Sequence, residues 1–84
     1  MYRILIVDNE PYVVDWIAAL LEAQIDREID VCRAYTAAEA LEWLTRSRTD
    51  IVISDICMPR MSGLELAGQV KVRWPYARVI LITA

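Results

Sequence analysis

Apolar positions along this chain fall into two kinds of pattern. Four short runs, RILIVD (3–8), IDVCRAY (29–35), IVIS (51–54) and ARVILIT (77–83), are rich in β-branched residues and largely lack polar alternation. Such runs fit strands buried on both faces, as in a parallel sheet. The second is the most mixed, as an edge strand allows. Between the runs the period changes. Pro11 suits the first turn of a helix, where its missing N–H costs nothing. Val13, Val14, Ile17, Ala18, Leu20, Leu21 and Ile25 then recur at helical spacing. Thr36 with Glu39, and Ser62 with Glu65, carry the capping-box signature of two further helix starts. Ala37, Ala40, Leu41 and Leu44 form the apolar face of the second helix, which fades through 45–50. The third should end at Trp74–Pro75, because a residue before proline disfavours helical backbone.

The predicted order is β-α-β-α-β-α-β. Alternation of this kind implies an α/β fold: a doubly wound parallel sheet with right-handed crossovers and helices on both faces. A flavodoxin-like sheet of strand order 2-1-3-4-5 needs one more helix, a strand and a final helix. The 84 residues are therefore expected to be a domain truncated after its fourth strand.

Composition narrows the field further. The chain is 57% apolar and 25% charged, which excludes disorder and favours one small packed core. A net charge of −3 leaves no basic footprint for nucleic acid. The absence of histidine excludes Ser-His or Cys-His catalysis within these residues. Cys32 and Cys57 have no CxxC spacing, so zinc ligation is unsupported and a reduced pair is expected. A strand-like run begins at residue 3 without a signal-peptide pattern. No apolar stretch approaches the ~18 residues of a membrane span. The expectation is a cytoplasmic domain without membrane contact.

In a doubly wound sheet the carboxyl ends of the strands share one edge, and ligands bind at the switch point between strands one and three. Strand one ends at Asp8, strand three at Asp55 and strand four at Thr83; Asn9 and Glu10 lie on the loop after Asp8. Clustered carboxylates repel one another and call for a cation. Oxygen donors suit a hard ion such as Mg2+. Asp55 would then be a carboxylate nucleophile toward a phosphoryl donor, and Thr83 could donate a hydroxyl hydrogen bond to the phosphoryl group. The plainer alternative is that both acids merely terminate strands, cap helices or face solvent.

The segments ILIVDNE, SDICMPRMSGLEL and VILITA closely resemble the receiver domain of two-component response regulators, along the whole chain and in the family's order. The D-x-x-M-P-x-M-x-G segment, here Asp55, Met58, Pro59, Met61 and Gly63, is its most specific part. The resemblance implies a CheY-like (βα)5 fold, with 1–84 a partial receiver domain lacking the α4-β5-α5 portion and any output domain. It implies that Asp55 accepts a phosphoryl group from a histidine kinase and that Thr83 is the switch hydroxyl. Mg2+ would be held by Asp8, Asp55 and the Cys57 backbone carbonyl. It implies a signalling domain rather than an enzyme, acting on DNA only through an output domain outside these residues.

Two departures from the pattern stand out. The second acid after strand one is Asn9, a neutral metal ligand that Glu10 could supplement. The sole lysine, Lys71, lies in the third helix rather than on a fifth strand. Two other readings remain open. One is a receiver-like dimerisation or interaction module independent of phosphorylation. The other is a phosphatase of the haloacid-dehalogenase type with Asp8 as nucleophile, disfavoured because Glu10 stands where a second Asp belongs. Trp16, Trp43 and Trp74 are read as core or rim packing, Met58 and Pro59 as loop packing and a turn, and Cys57 as a plain loop residue. Gly63 should permit a close approach. An exposed, apolar fourth strand predicts self-association of the isolated chain.

Overall fold

The computed structural model describes residues 2–24 and 28–83. Its elements are β1 (Tyr2–Val7), α1 (Pro11–Gln24), β2 (Ile29–Ala34), α2 (Ala37–Arg46), β3 (Ile51–Asp55), α3 (Gly63–Arg73) and β4 (Arg78–Ile82). Every element expected from the periodicity is present, with ends shifted by one residue or two. Ile25 and Ala84 lie outside the described residues.

The strands form one sheet of order β2-β1-β3-β4, with β1–β2, β1–β3 and β3–β4 all parallel. The mixed strand β2 lies at an edge, as its composition suggested. Alternation through the sheet divides the core in two. Leu5, Val7 and Val52 face α2 and α3, packing on Ala40, Leu44, Leu66 and Val70. Ile4 and Ile6 face the other way, onto Val14 and Ala18 of α1. Burial of both faces explains why β1 reads as an unbroken apolar run.

Helices start and stop for local reasons. Ser62 and Glu65 form the full reciprocal capping box of α3. At α2 only half of that box forms: the Thr36 hydroxyl accepts the Glu39 N–H, but the Glu39 carboxylate takes the N–H of Tyr35, at 2.7 Å. The side chain reaches one residue further back because the chain leaving β2 presents that donor instead. Trp74 closes α3 by donating its N–H to Val70.

The tryptophans divide. Trp43 packs on the core and donates its indole N–H to the Arg33 carbonyl, and Trp74 packs on the same core. Trp16 departs from the packing expected of it: it is 65% exposed, as is Tyr12 at 70%. The cause is that α1 is apolar nearly all round and has only one side against the sheet. Leu20, one of the apolar residues recurring at helical spacing, is 43% exposed for the same reason.

At the sheet's lower end Asp50 ties three strands together. Its N–H donates to the Arg3 carbonyl and its carbonyl accepts from the Arg78 N–H, both at 2.9 Å. Its carboxylate accepts the Arg3 N–H at 2.9 Å and the Arg48 guanidinium at 3.2 Å. These bonds hold its pKa below the ordinary aspartate value, the Arg3 backbone donor contributing most.

Candidate functional site

Register decides which residues meet at the upper edge. Val7 pairs with Ser54, so Asp8, one residue on, stands level with Asp55 on the adjacent strand. Neighbouring strands lie about 4.8 Å apart. Asp55 in turn pairs with Ile82, and the Ile56 N–H donates to the Ile82 carbonyl at 3.0 Å, so Thr83 emerges beside the residue that follows Asp55. The sheet thus brings Asp8, Asp55 and Thr83 to one edge, with Thr83 exposed just past the end of β4.

The two acids sit differently. Asp8 is only 4% exposed, and its backbone N–H continues the ladder to the Ala34 carbonyl at 3.2 Å. Its Oδ1 accepts the Glu10 N–H at 2.9 Å. Burial pushes its pKa up; the Glu10 N–H opposes the shift, and the charges of Asp55 and Glu10 reinforce it. A carboxylate that is desolvated and faces like charge is poised to bind a cation. Asp55 is half-buried at the end of β3, where its Oδ1 accepts the Cys57 N–H at a long 3.4 Å. That weak bond leaves most of its lone-pair capacity available.

The loop after Asp55 is held by Gly63. The Gly63 N–H donates to the Ile56 carbonyl at 2.8 Å, and a Cβ there would collide with the carbonyl of Asp55. The start of α3 can lie directly on the backbone of Asp55 only because this residue has no side chain. The expectation of close approach is met, and its partner is the central acid itself.

Asn9, Glu10 and Cys57 are exposed around the rim, and Met58 packs on the core below. No three His, Cys, Asp or Glu side chains converge into a metal-sized group among the described residues. The carboxylates of Asp8 and Asp55, with the Asn9 amide and the Cys57 carbonyl on the flanking loops, would nevertheless offer only oxygen donors. This fits Mg2+, which binds through one or two carboxylates and retains several waters. Sequence reasoning missed Arg60, which has φ 69° on the same loop. Glycine and asparagine usually mark that left-handed conformation, and an arginine carries no such signal.

Comparisons with known proteins point the same way as the geometry. The response regulator receiver domain family matches residues 4–84. The transcriptional regulatory protein BtsR of Salmonella typhi is 43% identical over 68 residues, covering 81% of this chain and 28% of that protein. The chain therefore spans well under half of this relative's length. Among solved structures, the response regulator TrrA of Thermotoga maritima in complex with Mg2+-BeF is 37% identical. It has a TM-score of 0.89, with 100% of this chain and 70% of that one covered. The same regulator in complex with the histidine kinase ThkA gives a TM-score of 0.88 at 37% identity, with the same coverage. A match running from residue 4 to the last residue, joined to a parallel sheet whose upper edge carries two acids and a threonine, establishes that this chain belongs to the response regulator receiver domains.

Proposed function

We propose that this domain is a phosphorylation-controlled switch in which Asp55 takes a phosphoryl group from a histidine kinase, in the presence of Mg2+, to control an attached transcriptional output. The observation that carries the reading is the pairing of buried Asp8 with half-buried Asp55 on adjacent strands, where the charge of Asp55 adds to the cost of ionising Asp8. Asp55 Oδ attacks the phosphorus of a phosphohistidine, a P–O bond forms as the P–N bond breaks, and the imidazole leaves with the bonding pair. Asp8, Asp55, the Asn9 amide and the Cys57 carbonyl would hold the metal, which when bound offsets charge on the transferred oxygens. The β3 ladder and Gly63 keep the Asp55 backbone fixed during attack. The Thr83 hydroxyl donates to the phosphoryl oxygens of the product. TrrA supports both partners, having been solved with Mg2+-BeF and with a kinase. Transcriptional output is inferred from BtsR.

Acetyl phosphate with Mg2+ should add ~80 Da to the intact mass, one phosphoryl group in place of a proton. Asp55→Ala should abolish the adduct, and Thr83→Ala should leave it in place. No adduct on the wild-type chain or on a longer form of it would defeat the proposal. The competing reading, an interaction module independent of phosphorylation, is favoured by the neutral, exposed Asn9. It requires unchanged partner binding in Asp55→Ala.

A further inference from the structure

Beside the acidic pocket lies a second recess that the proposed phosphotransfer does not use. It opens between the β2–α2 turn and the β3–α3 loop and has a volume of about 240 Å3. Leu41, Met58, Pro59 and Met61 line it, with Asn9 and Arg60. Arg60 is the single charged residue of the lining. Among the described residues its guanidinium has no ion-pair partner and no aromatic ring beneath it, a state it shares with Arg78, whereas Arg3, Arg33, Arg46, Arg48 and Arg73 each have one or the other. Its backbone is held at φ 69°, a conformation that penalises a side chain. An unpaired, exposed cation thus belongs to the lining of an apolar recess in a chain whose net charge is −3.

We propose that this recess binds a small amphipathic anion of the aryl carboxylate class. The ring would lie against Leu41, Met58 and Met61, with the carboxylate on Arg60. Three features select that chemistry. The volume falls below the ~300–1,000 Å3 of pockets for drug-sized ligands, which limits the apolar body to one or two rings. Methionine sulfurs make favourable contacts with aromatic rings. A planar guanidinium pairs bidentately with a carboxylate, and no acidic residue lines the recess to compete for it. Asn9 borders both the recess and Asp8, so an occupant would sit against the loop that supplies the acidic pocket.

The test is an amide-resolved NMR titration of the chain with indole-3-acetate, with the uncharged indole-3-acetamide and, separately, with inorganic phosphate at matched ionic strength. The acetate should give saturable shifts at the Ala38, Leu41, Met58 and Arg60 amides. The acetamide should bind about tenfold more weakly, for want of the charge-assisted hydrogen bond. Arg60→Gln should erase that difference while leaving the rest of the spectrum in place. Ala38→Phe, which fills the recess from the exposed start of α2, should abolish binding in a chain that still gives the folded spectrum. Equal binding of acetate and acetamide, or unchanged acetate binding in either variant, would overturn the proposal. So would saturable movement of the Arg60 amide with phosphate alone, since the guanidinium would then serve a phosphate.

Discussion

Asp8 carries a cost that its neighbours relieve only in part. Buried, and facing the charge of Asp55, its carboxylate has a raised pKa, so its ionised form opposes folding at neutral pH. The penalty is present above the folded pKa and disappears as the pH falls below the ordinary carboxylate value. Asp8→Asn keeps an oxygen to accept the Glu10 N–H and removes the charge. In chelator at pH 7 it should raise Tm by a few degrees, with the gain vanishing on acidification, and it should lose the acetyl-phosphate adduct. An equal or lower Tm would mean that the acid is not under strain. Asp8, Asp55 and Thr83 are legible in the sequence because each closes an apolar run, and a parallel sheet gathers such ends at one edge. The left-handed backbone of Arg60 is not legible, because only its loop partners hold it there.

At the scale of elements, β3 is secured at its lower end by Asp50. Depressed by the Arg3 N–H and then by Arg48, the Asp50 carboxyl contributes stability above its unfolded pKa and loses it as the pH falls through the lowered value. Asp50→Asn should cost about 1 kcal/mol at pH 7, the scale of one net hydrogen bond. The two urea-unfolding curves should converge once the pH has fallen below the lowered Asp50 value, where both side chains are neutral. A difference that persisted there would assign the effect to shape rather than charge. Elements were easier to foresee than their orientation. Seven appear in the expected order, yet the direction of Trp16 was hidden because α1 has apolar residues on nearly every side. A weak stripe cannot say which flank meets the sheet. The half-formed capping box at α2 was hidden too, since it depends on the path of the chain leaving β2.

The whole molecule has one side less covered than the other. Both α2 and α3 shield one face of the sheet, whereas α1 alone lies on the opposite face, over β1 and β2. There Ile80, in register with Ile53, remains 50% exposed. Among the described residues β4 has no strand on its outer side, so its backbone donors and acceptors there add to this apolar strip a template for pairing with another chain. As an isolated 84-residue chain the domain should therefore self-associate. Sedimentation across a concentration series should show dimers or larger species, and Ile80→Lys should shift it toward monomer. A monomer at every concentration would refute the expectation.

Asp50 also sets a gradient along the sheet. The amides of Arg3, Asp50 and Arg78 are interlocked at the lower end, whereas at the upper end the Cys57 N–H has only a long bond to Asp55. In deuterated solvent, labels should enter from the top downward, with Cys57 exchanging first and the three amides around Asp50 among the last. The Cys57 stretch of the loop is then the looser part of the upper end, while Asp55 stays held by the β3 ladder and Gly63. A domain laid out in this way can move the loop beside its reactive edge without unravelling.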